Sequence, residues 1–308
     1  MPKYNIHNDF AFLRFVPNTK TWMLPAINTV FKWHFNFTKA PQNIEVTSHS
    51  IKGFENKDIE VLVIKPRSIA ANAPCLVYYH GGGFFIEATQ LHKKMMFEYA
   101  TKANCIIVFP HYRVSLTHPF PTSLEDCYAA LNWTTNNSAR LGIDQNRIAV
   151  GGDSAGGNLA ACVAQMAVDR QEINICFQFL VYPVCDHTLS SASMQAFQDT
   201  PLWNAPSSAL MWNVYLKGRD RSNLPKYVSP LQRADLNGLP PSFFETAEFD
   251  CLQDEALLYA QKLKDANINV ELNQTKRTIH AYDIIKKSSI TQESILRRVR
   301  ALRTAFGN

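Results

Sequence analysis

The feature that most constrains this chain is a strand, a sharp turn and a helix in immediate succession around Ser154. The segment Gly-Gly-Asp-Ser-Ala-Gly-Gly at residues 151–157 follows a short apolar run and precedes a run of small residues at 159–164. So tight a turn forces the serine into a strained backbone conformation, and only glycine or alanine leaves room beside it. Gly152, Ser154 and Gly156 therefore have the Gly-x-Ser-x-Gly spacing of a nucleophile elbow, although the motif alone also fits a glycine-rich turn with a surface hydroxyl.

Strand-like and helix-like segments alternate through most of the chain. Runs of β-forming residues begin the pattern, and apolar strands then alternate with helices of ten or more residues. Predicted strands cover residues 44–48, 59–64, 75–79, 105–109, 147–150, 173–181, 242–247 and 269–272, and predicted helices cover 90–102, 124–136, 209–216, 254–264 and 290–306. This alternation predicts an α/β fold with a mostly parallel sheet and helices on both of its faces.

Two segments do not fit the alternation. Residues 186–226 are rich in Ser, Asn, Pro and Trp and are interpreted as an insertion. Residues 1–40 are rich in Phe and Trp, and we expect them to form helices that pack over something apolar, such as the mouth of a pocket. An interfacial membrane helix is the alternative, but Pro17 and Pro25 interrupt the segment and it lacks a clean basic face. The predicted division is an N-terminal helical cap segment at 1–40, a core at 41–185 and 227–308, and a cap insertion at 186–226.

Composition excludes several classes of protein. The 308 residues carry a net charge of +5 without a long Lys/Arg block, which argues against a nucleic-acid partner. Seven cysteines without a Cys-x-x-Cys pair favour reduced thiols in a reducing compartment. The sequence shows no secretory signal and no apolar run of the ~18 residues that a membrane span needs. We therefore predict a cytoplasmic protein with no membrane span, no metal and no cofactor.

Polar groups follow the predicted strands at the edge where open α/β sheets bind ligands. Gly81–Gly83 come directly after one strand, and their backbone N–H groups suit an oxyanion hole. Asp250 and His280 each follow a later strand, and His280 is the only histidine after His187. A loop Asp is often only a helix cap and a lone His is often structural. Their occurrence in the order Ser154, Asp250, His280 nevertheless favours a catalytic triad, since a serine needs a base and the base needs a carboxylate.

The segments His80–Phe84 and Gly152–Gly157 resemble motifs of the hormone-sensitive-lipase-like branch of the α/β-hydrolases, which are mostly carboxylesterases. The similarity continues through Tyr112-Arg113, His118–Pro121, Leu124–Asp126, Tyr215-Leu216, Val228–Leu231, Leu239–Pro241 and Asp250–Glu255 to His280. The resemblance implies an α/β-hydrolase fold with a helical cap. It also implies Ser154 as nucleophile, His280 as general base and Asp250 as its orienting acid. The remaining implied residues are Gly82, Gly83 and Ala155 as the oxyanion hole and His80 as a structural anchor.

The expected function is hydrolysis of a small-molecule ester with a short- to medium-chain acyl group. Phe84 and Phe85, with Trp203 or Trp212 and the aromatic N-terminal segment, suggest an apolar acyl pocket of limited depth, although they also suit packing of cap on core. One alternative is a small amide or peptide hydrolase with the same triad. Another is a non-catalytic receptor similar to the plant gibberellin receptors, which lack the catalytic histidine, so His280 argues against it. The sequence leaves open whether the chain forms a homodimer.

Overall fold

A computed structural model describes residues 3–16 and 21–308, so Pro17 lies outside the described residues. The strands are β1 (Ile44–Lys52), β2 (Asp58–Pro66), β3 (Ala73–Tyr79), β4 (Ile106–Pro110), β5 (Ile143–Asp153), β6 (Phe177–Val181), β7 (Ser242–Phe249) and β8 (Val270–Ile279). The α-helices are α1 (Asn8–Ala11), α2 (Leu24–Phe37), α3 (Gln90–Ala103), α4 (Thr122–Asn136), α5 (Ser138–Leu141), α6 (Ala155–Arg170), α7 (Ala192–Ala196), α8 (Ala205–Tyr215), α9 (Gln253–Asp265) and α10 (Ser289–Phe306).

The strands form one sheet in the order β1-β2-β4-β3-β5-β6-β7-β8. The pairs β1–β2 and β2–β4 are antiparallel, and every pair from β4 to β8 is parallel. Parallel neighbours need long crossover connections, and helices of the predicted lengths supply them. The prediction of a mostly parallel sheet is confirmed.

The sheet is buried on both faces because successive side chains of a strand point in opposite directions. In β3, Val77 and Tyr79 belong to the core that includes side chains of α4, α6 and α9. Leu76 and Tyr78 belong to the core on the other face, with side chains of α3 and α10. Near-continuous apolar strands are therefore required in the middle of the sheet, as the sequence pattern indicated.

Several strand boundaries differ from the prediction, and those of β6 and β8 have an identifiable cause. The strand predicted at 173–181 begins only at Phe177, because Ile173 and Ile175 are buried in the connection from α6 without pairing in the sheet. The strand predicted at 269–272 extends to Ile279. Its second half is mostly polar because β8 is an edge strand with an alternating burial pattern. An apolar run does not reveal which buried segments pair, and an edge strand need not be apolar.

The parallel register brings the carboxyl ends of the central strands together. Tyr79 pairs with Gly152 in the next strand, and Asp153 pairs with Val181. Phe249 in β7 lies opposite Ile279 in β8, so the residues that directly follow these two strands emerge side by side. Polar groups from four parts of the chain therefore meet at one edge of the sheet.

The predicted insertion contains α7 and α8, and the described part of the predicted N-terminal cap segment contains α1 and α2. Trp212 of α8 is fully buried, and Asn28 of α2 bonds to the backbone of Phe85. Both segments thus pack against residues that directly follow β3, since Trp212 contacts Phe84 and Asn28 bonds to Phe85. The exact division into cap and core stays a prediction.

Candidate active site

The sharp turn at Ser154 joins β5 directly to α6. Ser154 has φ 56° and ψ −121°, a strained conformation for a residue with a side chain. A Cβ atom at Gly152 would overlap the backbone of Gly156, and one at Gly156 would overlap the carbonyl oxygen of Tyr79. The two glycines are thus required by close backbone approach, and they leave the serine Oγ at the carboxyl edge of the sheet.

His280 and Asp250 meet Ser154 at this edge. The Nε2 atom of His280 lies 2.9 Å from Ser154 Oγ, and its Nδ1 atom lies 2.7 Å from Asp250 Oδ2. All three side chains are buried, with relative exposures of 5% for Ser154, 3% for His280 and 1% for Asp250. The three residues predicted as a triad are therefore in hydrogen-bonding contact.

The hydrogen bonds determine which nitrogen of His280 carries the proton. A carboxylate only accepts hydrogen bonds, so Nδ1–H donates to Asp250 and the Nε2 lone pair is left for the hydroxyl of Ser154. The second oxygen of Asp250, Oδ1, accepts from the backbone N–H of Leu252 at 3.0 Å. Both oxygens of the Asp250 carboxylate thus accept a hydrogen bond. This arrangement can withdraw a proton from the serine hydroxyl.

The glycine-rich turn after β3 lies beside the serine. Gly82 and Gly83 have φ of 119° and 59°, both in the region that favours glycine. Among the hydrogen bonds of the described residues, none is donated by the backbone N–H of Gly82, Gly83 or Ala155. Ala155 is the first residue of α6, where a helix has no internal acceptor for its N–H. The three backbone N–H groups predicted to form the oxyanion hole thus have no acceptor among the described residues.

Asp153 connects the glycine-rich turn to the nucleophile elbow through hydrogen bonds. Its Oδ1 atom accepts from Tyr78 Oη at 2.8 Å and from the N–H of Gly81 at 3.0 Å, and its Oδ2 atom lies 3.5 Å from Nε2 of His92. Burial alone would raise the pKa of Asp153, but His92 and the hydrogen bond from Tyr78 outweigh it and lower this pKa to about 2. Sequence reasoning missed this role, because nothing in the spacing of residues 78, 92 and 153 brings them together.

His80 occupies the structural position that the resemblance implies. Its ring stacks on Tyr112 with centroids 4.3 Å apart, and its Nδ1 atom lies 2.7 Å from the carbonyl oxygen of Gly81. Burial, reinforced by His92, lowers the pKa of His80 to about 3, so its ring is neutral near pH 7. His80 therefore supports the glycine-rich turn and lies outside the contact between Ser154 and His280.

A cavity of about 580 Å³ opens over the serine. Its walls combine residues of α2, the glycine-rich turn, α3, the insertion and the loop that follows His280. Side chains with apolar character dominate the lining and include Val30, Phe31, Ile86, Leu91, Met95, Leu202, Trp203 and Ile284. The N-terminal segment thus lies at the pocket mouth, as the sequence analysis expected.

Of the aromatic side chains that suggested an apolar acyl pocket, only some line this cavity. Trp203 does, whereas Phe84 is fully buried and stacks on Tyr215 with ring centroids 3.8 Å apart. Trp212 is also fully buried and packs against Phe84, and Phe85 packs against Trp203. Phe84 and Trp212 therefore join cap to core. Sequence alone could not separate the two roles because both require large apolar side chains.

A buried cluster of charged side chains lies behind His280 and was not predicted from the sequence. Arg298 forms ion pairs with Glu245 and Asp283, and Asp283 accepts a hydrogen bond of 2.8 Å from Tyr182. The Tyr182 ring meets the His280 ring edge-on at 4.7 Å. Burial opposes ionisation of Asp283, but Arg298 holds its pKa below the usual value. The available signal was Arg298 itself, a charged residue within the apolar stripe of α10.

Among the described residues, no group of three or more His, Cys, Asp or Glu side chains has a geometry that could hold a metal ion. None of the helices in residues 3–16 and 21–308 is long and apolar enough to cross a membrane.

Comparison with known proteins shows the family to which the chain belongs. Residues 76–284 match a family model described as alpha/beta hydrolase fold. The Mycobacterium tuberculosis (strain H37Rv) protein named carboxylesterase NlhH is 40% identical over 230 residues, which span 73% of this chain and 71% of that protein. Esterase LipI of the same organism is 35% identical over 214 residues, 69% of this chain and 66% of LipI.

A solved structure is similar along nearly the whole length. The structure named bacterial heroin esterase superposes with a TM-score of 0.92 at 30% identity and covers 98% of both chains. The expected α/β-hydrolase fold and the resemblance drawn from the motifs at residues 80–84 and 152–157 are both confirmed.

Proposed function

Since this chain belongs to the hormone-sensitive-lipase-like branch of the α/β-hydrolase family and is a carboxylic ester hydrolase, we propose that Ser154 is its nucleophile. In this proposal His280 is the general base, Asp250 orients the imidazole, and Gly82, Gly83 and Ala155 form the oxyanion hole. The substrate is an ester with a short- to medium-chain acyl group.

The first half of the reaction forms an acyl-enzyme. Ser154 Oγ attacks the ester carbonyl carbon while Nε2 of His280 takes its proton, and the carbonyl oxygen becomes an anion held by the three backbone N–H groups. The imidazolium then gives its proton to the leaving alcohol as the ester C–O bond breaks. Asp250 stabilises the charge on the imidazolium throughout.

The second half returns the enzyme to its starting state. Water replaces the alcohol, His280 takes one of its protons, and the resulting hydroxide attacks the acyl carbon. The same N–H groups hold the second oxyanion. His280 then returns a proton to Ser154 Oγ, and the carboxylic acid leaves.

The observation that carries the proposal is the hydrogen-bonded chain from Ser154 Oγ through His280 to Asp250, with distances of 2.9 and 2.7 Å. Serine and histidine side chains are common, but a buried carboxylate, imidazole and hydroxyl in this order have a chemical purpose only if the hydroxyl is to be deprotonated. The strained turn and the free N–H groups beside it support the same role.

The preference for short- to medium-chain acyl groups is supported by the cavity. Its volume of about 580 Å³ is in the range of roughly 300–1,000 Å³ that holds one drug-sized ligand. An ester with a medium acyl chain fits such a volume, whereas three long acyl chains of a triglyceride do not. Hydrolysis of p-nitrophenyl esters with increasing acyl length tests this preference, and a rate that keeps rising into long chains would contradict it.

Replacement of the nucleophile tests the mechanism. We expect Ser154→Ala to reduce kcat on a short p-nitrophenyl ester by at least about 10⁴-fold and to abolish labelling by a fluorophosphonate probe. Ser289→Ala, at an exposed position of α10, is the matched control and should retain both. Unchanged turnover or labelling in Ser154→Ala would eliminate the assignment.

A further inference from the structure

Exposed apolar side chains are concentrated in the N-terminal segment. Ten large hydrophobic side chains of the described residues are exposed, and eight of them lie between residues 12 and 37. The other two, Leu258 and Leu296, are on α9 and α10. Single exposed leucines are normal on a protein surface, but such a concentration marks an interaction surface.

Helix α2 is apolar on two sides. Its inner side is fixed to the protein: Leu24 and Phe35 are buried, and Asn28 Nδ2 donates to the carbonyl of Phe85 at 2.9 Å. Its outer side carries an exposed row that begins in the turn before the helix. We call this row the outer stripe and define it as Met23, Val30, Trp33 and Phe37.

The spacing of the outer stripe is helical. Residues seven, three and four positions apart share one face of a helix, which is the spacing from Met23 through Val30 and Trp33 to Phe37. The Trp33 and Phe37 rings are in contact, with centroids 4.7 Å apart. A helix needs only one apolar face to pack on its own protein, so the second indicates something outside the chain.

The charge around the outer stripe indicates what kind of partner fits it. Residues 10–44 contain four Lys or Arg side chains and no Asp or Glu. Arg14, Lys32 and Lys39 are exposed. A second copy of the chain on this face would bring like charges together, whereas an anionic lipid surface attracts them. The segment lacks a clean basic face, but the structure places exposed Trp and Phe on one side of α2 with exposed Lys and Arg around them, and this combination suits the boundary between headgroups and acyl chains.

The outer stripe also borders the mouth of the catalytic cavity. Val30 belongs both to the stripe and to the cavity wall, and the neighbouring Phe31 and His34 line the same cavity. A flat partner lying on the stripe would therefore lie next to the opening above Ser154.

We propose that the outer stripe docks this protein on an anionic lipid surface. The apolar side chains enter the interfacial region, and the flanking cations contact the headgroups. This binding goes beyond the proposed function. Docking turns the cavity mouth toward esters dissolved in the lipid, and only that consequence rests on the proposed function.

Vesicle binding tests the docking. The full-length chain is sedimented with vesicles of phosphatidylcholine, with or without phosphatidylglycerol, while tryptophan emission is recorded. We expect binding to the anionic vesicles that weakens in high salt, and a partition coefficient about tenfold or more lower for Trp33→Gln/Phe37→Gln. Lys32→Glu/Lys39→Glu should also weaken binding to the anionic vesicles. The control Leu258→Gln/Leu296→Gln removes two equally exposed side chains from other helices and should bind like the wild type.

Three outcomes would overturn the proposal. The wild type fails to bind anionic vesicles, or the control pair loses as much binding as the stripe pair. Alternatively, light scattering shows a dimer in solution that Trp33→Gln/Phe37→Gln dissociates, so that the stripe is covered by a second copy. Ser154→Ala separates this proposal from the enzymatic one, because it should bind vesicles normally while it loses hydrolysis of a soluble ester.

Discussion

The Nε2 atom of His280 lies 2.9 Å from the Oγ atom of Ser154, although 126 positions separate the two residues. The contact exists because β5 and β8 belong to one sheet and end at the same edge, where each strand is followed by one of these residues. Parallel strands thus bring together side chains that no local segment could unite.

Replacement of Asp250 by Asn should leave the fold intact and impair the base. The amide can donate to Nδ1 of His280, which puts the ring proton on Nε2 and turns it toward Ser154 Oγ. We expect kcat to fall by about 10³–10⁴-fold, as is typical when a triad carboxylate loses its charge. Initial rates on p-nitrophenyl butyrate measure the loss.

The matched control for this change is Asp254→Asn. The Asp254 carboxylate accepts from the backbone N–H of Ser193 at 2.6 Å and does not contact the histidine. We expect it to change thermal stability more than kcat. If Asp250→Asn retained a kcat similar to that of Asp254→Asn, Asp250 would not orient His280.

Gly83→Ala should displace one donor of the proposed oxyanion hole. Gly83 has φ 59°, and a Cβ atom there would lie 2.7 Å from Cη2 of Trp203. Alanine is strained at this φ, and its Cβ would also press on the indole, so we expect the turn to shift and displace the N–H of Gly83. Loss of one such donor costs about 2.7–4 kcal/mol of barrier. We expect kcat to fall at least about 100-fold. Circular dichroism should show an intact fold.

Gly218→Ala provides the comparison for backbone strain. Gly218 also has a positive φ, 78°, but nothing lies within 4 Å of the Cβ that alanine would add. It should cost about 1 kcal/mol of stability from strain alone, with an unchanged kcat. Equal kcat for the two alanine variants would show that Gly83 has no part in oxyanion binding.

Trp203→Ala should shift the acyl preference toward longer chains. Trp203 lines the cavity beside His280, with ring centroids 5.9 Å apart, so its removal enlarges the space next to the reacting groups. We expect the ratio of kcat/KM for the octanoate to that for the butyrate ester to rise about tenfold, in line with the value of one methylene contact in an apolar pocket. Trp133→Ala, outside the cavity on α4, should leave the ratio unchanged, and a similar ratio in both variants would exclude Trp203 from the acyl site.

Asp153→Asn should remove a pH-dependent part of the stability. In the folded protein the pKa of Asp153 is about 2, below its ordinary value of 3.8, so the ionised carboxylate stabilises the fold above pH 3.8. This contribution, about 2 kcal/mol, is lost as the pH falls from 3.8 toward 2. The free energy of unfolding in urea should therefore fall more steeply in the wild type than in the variant over this interval.

Asp265→Asn removes an exposed carboxylate from the end of α9 and serves as the reference. It should retain the acid sensitivity of the wild type. Parallel pH curves for the wild type and Asp153→Asn would mean that His92 and the hydrogen bond from Tyr78 do not lower the pKa of Asp153 in the folded protein.

The described residues show where sequence-based prediction succeeded. The elbow at residues 151–157 could be recognised because its requirement is local: only glycine fits two positions to either side of the strained Ser154, at Gly152 and Gly156. The alternation of strands and helices predicted the sheet, because burial on both faces demands apolar strands. Asp250 and His280 were predicted as triad residues because they directly follow strands of that sheet, and the structure brings both into hydrogen-bonding contact with each other or with Ser154. In each case the physical constraint acts within a short segment of the chain.

Other parts of the site were decided only by the tertiary structure. Tyr78 and Gly81 donate to Asp153, and Arg298 forms ion pairs with Glu245 and Asp283. No periodic pattern in the sequence relates the positions of these residues. Whether an aromatic side chain lines the cavity, as Trp203 does, or packs cap on core, as Trp212 does, depends on the position of the neighbouring elements. The sequence by itself determined the class of fold and predicted the triad residues, because backbone geometry and hydrophobic periodicity act over a few residues. The walls of the cavity and the supports of its catalytic loops arise from packing between distant segments, which only the folded chain specifies.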